Sequence, residues 1–256
     1  PWSYTCGQCG ACCRGKDFLV TPYDVARIAE ALGTLPAEVL ARYVDPSRPM
    51  LRTTGADGQC VFFAPGTGCT IHTGRPAVCR LYPLGRTIHA DQSESFTEAE
   101  PMPQTKGQYS QSGTVGDYLQ TQGLDPYLEA MRRLGQFLDD AFACASRSGL
   151  IGDVDSAVTA YWLGEGGPVP FNIMGVDLLA GLGVFDDALD TLDNHMAALR
   201  DLCGLDLLPE QQMRLLETPE GRAIGGRLVI TAAVLGVSLG ITPGFSAAAA
   251  AEGVGS

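Results

Sequence analysis

The feature that most constrains this chain is a run of four cysteines close to its start. The run reads Cys-Gly-Gln-Cys-Gly-Ala-Cys-Cys, and its thiols are Cys6, Cys9, Cys12 and Cys13. Thiols at every third residue can turn to one side of a tight loop when glycines such as Gly7 and Gly10 lie between them. Packing alone does not require such a density of a reactive side chain. The run therefore predicts a metal or iron–sulfur site.

Three further thiols follow within the first third of the chain, each beside a turn or a basic residue. They are Cys60, Cys69 and Cys79, so seven of the nine cysteines lie within the first 79 residues. Cys144 and Cys203 stand apart, and we expect both to be ordinary thiols in helical surroundings. This asymmetry predicts a cysteine-rich metal-binding domain over residues 1–90.

The spacing of the thiols favours an iron–sulfur cluster over zinc. Thiolates suit both, but C-x2-C-x2-C is similar to the run that wraps a [4Fe–4S] cluster, whose fourth cysteine is distant. Structural zinc more often uses two separated C-x2-C pairs, and the second pair is absent. Adjacent thiols such as Cys12 and Cys13 cannot easily chelate one ion in the same way. We expect a multinuclear centre or some spare thiols, with Arg14, Arg75 and Arg80 as cations around them.

These residues also carry a resemblance to a known family. The opening run with Arg14, the Thr21–Pro22 pair, and the later cysteines with Arg75–Pro76 and the Arg-Leu-Tyr-Pro segment at 80–83 resemble the YkgJ-type cysteine-cluster family. The resemblance covers residues 4–86, and one departure from it is His72. It implies a CxxCxxCC domain that chelates zinc or iron, and it implies no particular reaction. A related cysteine pattern occurs in iron–sulfur flagellin lysine-N-methylases.

Composition limits the classes of function that remain. The 256 residues carry 17 Lys and Arg against 29 Asp and Glu, a formal net charge of −12. Such acidity does not fit a nucleic-acid-binding surface. The chain shows no P-loop, no G-x-G-x-x-G after a strand, no H-E-x-x-H and no G-x-S-x-G motif, so a non-catalytic role is favoured. The first residues do not resemble a signal peptide, and we expect a cytoplasmic protein.

The remaining pattern predicts a mainly α fold with short strands. Thr21 and Pro22 predict a helix start and Gly33 its end, and a second helix is expected after Pro36. Asp125–Pro126 predicts the start of a long helix. We expect a linker or long surface loop over residues 91–123, an α-helical domain over 124–246 and a disordered tail over 247–256.

The C-terminal half suggests contact with another macromolecule. Residues 227–245 are almost uncharged and about as long as a membrane span, but their Gly, Thr, Ser and Pro content favours a buried or docking helix. We expect a protein partner on the helical half. The predicted role is an electron-transfer, metal-handling or accessory subunit. The alternatives are a group-transfer enzyme similar to the flagellin methylases and a thiol-based redox or metal sensor.

Overall fold

The fold is known from a computed structural model, which describes residues 1–45, 50–89, 93–147 and 188–202, together with residues 210, 211, 214 and 218. Helices and short strands alternate through this part of the chain, as the sequence predicts. The α-helices are Pro22–Leu32 (α1), Pro36–Tyr43 (α2), Ala77–Leu81 (α3), Val115–Thr121 (α4), Asp125–Arg147 (α5) and Ala188–Leu202 (α6). Two short 3-10 turns cover Ala11–Cys13 and His72–Gly74.

The strands are short and form two-stranded antiparallel sheets. They are Ser3–Thr5 (β1), Thr53–Thr54 (β2), Gln59–Cys60 (β3), Phe63–Ala64 (β4), Gly68–Cys69 (β5), Leu84–Ile88 (β6), Glu94–Glu98 (β7) and Gln108–Ser110 (β8). Strand β2 pairs with β3, β4 with β5, and β6 with β7. Strand β1 pairs with the distant β8, in a register that sets Tyr4 opposite Tyr109.

Helix α1 begins and ends where its sequence predicts. The Thr21 hydroxyl accepts a hydrogen bond from the Asp24 backbone N–H, and the Asp24 carboxylate accepts one in return from the Thr21 N–H, which forms a capping box. Pro22 occupies the first turn, where its missing N–H costs nothing. Gly33 closes the helix at φ 64°, a left-handed conformation that glycine adopts without a steric penalty.

Helix α1 lies between two hydrophobic clusters. Val25 and Ile28 are fully buried in a cluster beneath the cysteines, which also contains Phe62 and Ile71. Its other side packs against α5 and α6 in a second cluster, through Tyr23 and Ala26. Burying an aliphatic side chain of this size contributes about 1.5–3 kcal/mol. Packing on both sides therefore fixes α1 as the support on which the cysteine segments rest.

The segment predicted as a linker contains regular structure where it is described. It holds β7, β8 and α4, and the Tyr118 hydroxyl of α4 donates hydrogen bonds to the carbonyls of Arg80 and Tyr82. Its strands show little apolar alternation because most of their side chains are exposed. Strand β8 pairs with the distant β1, which no local pattern reveals, whereas β7 pairs with β6 a few residues before it. The division of the chain into domains stays a prediction.

Only part of the C-terminal half is described. Helix α5 begins at Asp125, as predicted, and contains Cys144; it is joined to α6 by ion pairs between Arg133 and Asp193 and between Arg200 and Asp140. Cys203, the apolar run at 227–245 and the tail at 247–256 lie outside the described residues. Within the described helices, none combines the length and the apolar character that crossing a membrane requires.

Candidate metal centre

The seven predicted ligands surround one cavity. It has a volume of about 50 Å³, more than one water molecule needs. The thiols that line it are Cys6, Cys9, Cys12, Cys13, Cys60, Cys69 and Cys79. All seven are free thiols rather than halves of disulfides. The fold therefore brings together thiols from four separate segments of the chain.

The cysteine loop leaves β1 and turns tightly under an aromatic ring. Gly10 adopts φ 77°, and the Cys13 backbone N–H donates a 3.0 Å hydrogen bond to its carbonyl. A Cβ atom at Gly10 would lie only 2.1 Å from a ring carbon of Phe63. The loop needs glycine there for its backbone angle and for the close approach of Phe63.

Backbone N–H groups point at two of the loop sulfurs. The Gln8 N–H donates to Cys6 Sγ at 3.4 Å, and the Lys106 N–H donates to Cys9 Sγ at 3.3 Å. Burial raises the pKa of Cys9, but the backbone donors at Lys106 and Ala11 and the Thr105 hydroxyl outweigh it and hold that pKa below its ordinary value. Sequence reasoning missed Thr105 and Lys106, since they lie in a polar loop about 100 residues from the thiol they contact.

The other three thiols are held at the ends of short elements. Cys60 ends β3 and Cys69 ends β5. Cys79 lies in α3, and the first N–H of that helix, at Ala77, donates a 2.8 Å hydrogen bond to the carboxylate of Asp24. The buried α1 thus sets the position of Cys79 directly.

Most of these thiols resist ionisation in this setting. Burial raises the pKa of Cys60 and Cys69, and it raises the pKa of Cys79 to about 12. Cys12 and Cys13 share one hydrogen bond, which lowers the pKa of Cys12 to about 6 and raises that of Cys13. Placing several thiolates in so small a space requires a compensating cation.

Of the three arginines predicted to lie near the thiols, only Arg75 lines the cavity. Arg14 pairs with Asp57 at the surface and lies 5.5 Å from the centre of the Phe63 ring. Arg80 donates instead to three backbone carbonyls behind α3. Lys16, which the sequence also places among the cysteines, helps to lower the pKa of Cys12 after the larger effect of Cys13.

Aromatic rings close much of the remaining wall. Tyr4, Phe62 and Phe63 line the cavity, and Tyr82 packs edge-to-face on Tyr4 with ring centres 5.8 Å apart. His72 also lines it, with Nδ1 3.2 Å from the Arg75 guanidinium. This aromatic cover limits the access of water to the sulfurs.

The donor set suits a thiophilic metal, but the side chains are not in coordinating positions. Across the described residues, no group of three or more His, Cys, Asp and Glu side chains is arranged to hold a metal ion. The thiols share one cavity and can approach each other only by changing rotamers or bending the loop. The residues present therefore fit a thiolate-bound centre in kind and number, and binding would require the sulfurs to converge.

Comparison with known proteins identifies the segment that carries these thiols. Residues 5–102 match the family model CxxCxxCC, described as a "Putative zinc- or iron-chelating domain". The match extends beyond residue 90 and includes β7. No curated protein and no solved structure matches the chain. Residues 5–102 therefore match the CxxCxxCC family of cysteine-cluster domains, and the match supports metal binding in general.

Proposed function

We propose that the seven thiols hold an iron–sulfur cluster, with zinc as the alternative metal, in a protein that transfers electrons, handles metal or serves as an accessory subunit. One observation carries the proposal: seven free thiols from four segments line a single cavity. The family description supports metal binding in general. The choice of a cluster and the biological role are our own.

The number of thiols favours a multinuclear centre. A structural zinc ion takes four ligands, and seven thiols exceed that requirement. Cys12 and Cys13 both line the cavity although they are adjacent in sequence. Such a pair suits two metal atoms, or one ligand beside a spare thiol, better than a single ion.

Residues of this chain would then tune the centre. An iron–sulfur cluster would supply reversible one-electron chemistry, and zinc a structural crosslink. The N–H groups of Gln8 and Lys106 donate to sulfur and, with the nearby Arg75 guanidinium, would stabilise its negative charge. Donors and cations of this kind raise a reduction potential. The rings of Tyr4, Phe62 and Phe63 would exclude water.

The wider role rests on the sequence. We place the protein in the cytoplasm and its protein partner on the helical C-terminal half, with no nucleic acid bound. Membrane contact through 227–245 is the less favoured arrangement. A group-transfer enzyme and a thiol-based sensor remain the alternatives, and the first requires a cosubstrate such as S-adenosylmethionine.

Anaerobic purification with metal analysis and an absorption spectrum tests the centre. Iron and acid-labile sulfide with a broad visible absorption band are the expected result. A colourless protein with stoichiometric zinc would overturn the cluster and keep the metal site. Protein with neither metal, even after reconstitution under reducing conditions, would overturn the site.

Two further measurements separate the alternatives. Calorimetric titration with S-adenosylmethionine should show no binding, and saturable binding would favour the group-transfer enzyme. Mass spectrometry of anaerobic and oxidised samples should show the same thiol state while the metal is bound. Reversible formation of a Cys12–Cys13 disulfide in the native protein would favour the sensor.

A further inference from the structure

A second, larger pocket lies against the thiol cavity. Its volume is about 690 Å³, within the range of small-molecule sites. Tyr4, Cys6, His72 and Arg75 line both spaces. The outer walls come from α1, the 3-10 turn at His72–Gly74 and the segment from Thr121 to Tyr127.

The pocket is positively charged in a chain with a net charge of −12. Arg27, Arg75 and Arg80 line it, and none of the described residues lining it is Asp or Glu. Arg27 forms a pair with Glu30 at the surface. Such a concentration of cations in an acidic protein indicates a site for negative charge.

Two of these arginines make no ion pair within 4 Å of any carboxylate in the described part of the chain. Arg75 donates to the His72 carbonyl and to Gln122 Oε1, which are both neutral acceptors. Arg80, which is 8% exposed, donates to the carbonyls of Thr73, Arg75 and Gln122.

One carboxylate does interact electrostatically with the Arg80 guanidinium. It belongs to Asp24, whose oxygens accept their hydrogen bonds from Thr21 and Ala77 instead. Buried charges in proteins are ordinarily paired. The charge of Arg80 therefore favours an anion in the pocket, and Arg75, which also faces the thiols of Cys6 and Cys79, adds to it.

Three buried polar atoms of the pocket residues make no well-aligned hydrogen bond among the described residues, although the Arg27 guanidinium interacts with the Tyr127 hydroxyl. They are Arg27 Nε, His72 Nε2 and the Tyr127 hydroxyl. Nδ1 of His72 faces the Arg75 guanidinium, which can only donate, so Nδ1 accepts and Nε2 carries the proton. Each of the three atoms can therefore donate, and Tyr127 is only 2% exposed. Unsatisfied buried donors are rare and call for an acceptor.

We propose that this pocket binds a small molecule through a carboxylate or phosphate group. Arg27, Arg75 and Arg80 compensate its charge, and the buried donors of Arg27, His72 and Tyr127 reach its oxygen atoms only when these side chains move toward the pocket. The ligand lies beside the thiol cavity, with Arg75 between the two. The site requires no metal in that cavity, so it stands or falls separately from the metal centre.

The test is calorimetric titration of the full chain, with and without metal, at constant ionic strength. Inorganic phosphate and succinate are the two probes, because they separate a phosphate-bearing from a carboxylate-bearing ligand. Constant ionic strength removes the general screening of surface charge. We expect saturable binding of one molecule of at least one probe per chain. No saturable binding of either probe would overturn the proposal.

Variants locate the bound probe. Arg27→Gln and Tyr127→Phe each remove one of these donors, and each should weaken binding about ten-fold, which is equivalent to about 1.4 kcal/mol. Arg132→Gln is the matched control, because it removes the same charge and the same kind of Arg–Glu pair from the surface of α5. It should change affinity less than about two-fold. Equal losses in Arg27→Gln and Arg132→Gln, or no loss in both pocket variants, would overturn the site.

Discussion

The carboxylate of Asp24 and the backbone N–H of Ala77 form a 2.8 Å hydrogen bond that joins α1 to the helix carrying Cys79. The same carboxylate accepts from the N–H and hydroxyl of Thr21 through its other oxygen. The buried Asp24 side chain therefore caps α1 and also fixes the position of α3, which carries the candidate ligand Cys79.

Asp24→Asn should destabilise the protein by about 1–3 kcal/mol. An asparagine that keeps its oxygen toward Thr21 turns its NH2 group toward the Ala77 N–H, so one buried donor loses its acceptor. Chemical denaturation measures the change. Asp117→Asn is the matched control, since Asp117 forms the same capping box with Thr114 at an exposed site. Equal losses in the two variants would contradict the role of the Ala77 contact.

Gly10→Ala should cost more stability than Gly15→Ala. Both glycines have positive φ, 77° and 61°, so each alanine pays about 1 kcal/mol in backbone strain. Only at Gly10 does a Cβ atom meet Phe63, whereas nothing lies within 4 Å at Gly15. Overpacking adds about 1–3 kcal/mol, and thermal or chemical unfolding of both variants checks the difference. Similar unfolding free energies for the two variants would show that the Phe63 ring moves aside without a loss of stability.

Cys79→Ser should lower metal affinity, while Cys144→Ser should not. Loss of a residue that only hydrogen-bonds to a metal ligand lowers metal affinity about 10–100-fold. Loss of a thiol that lines the cavity should therefore lower metal affinity at least as much. Cys144 is the control, because its sequence context predicts an ordinary thiol. Metal content after anaerobic reconstitution measures the effect. Unchanged loading of Cys79→Ser would remove Cys79 from the ligand set.

Zinc binding near pH 7 should release protons, and affinity should fall as the pH falls. Cys13, Cys60, Cys69 and Cys79 have raised pKa values, so each is protonated before it binds and gives up a proton when it does. Calorimetry in buffers of different ionisation enthalpy counts the protons. A count of zero would mean that metal binds without these four thiols.

Local sequence signals predicted α1, α2 and the start of α5, but not the short helices α3 and α4. Thr21, Pro22 and Gly33 mark the bounds of α1 because capping depends on neighbours within one turn. The apolar segment 59–64 reads as one strand in sequence but forms two, β3 and β4, separated by a turn at Val61 and Phe62. The apolar character of the segment comes from its burial above α1 and does not reflect one continuous strand.

Non-local structure was beyond the reach of sequence patterns. The density and spacing of the thiols predicted a shared site, and the structure brings all seven to one cavity; that they bind a metal stays a prediction. Arg27 lies in α1, Gln122 directly after α4 and Tyr127 in α5, and they meet only in the folded chain. Pairing of β1 with β8 likewise depends on a partner about 100 residues away.

Arg75 lines both the thiol cavity and the arginine-rich pocket. A metal proposed for the first and an anion proposed for the second would therefore influence each other's binding. Any change of charge at the thiols alters the potential that an anion meets on the other side of the guanidinium. The dependence is reciprocal, so an anion that binds more tightly to one charge state must favour that state by the same factor. If both proposed sites are filled, the concentration of a small anion would therefore shift the redox state or the metal content of the thiol centre.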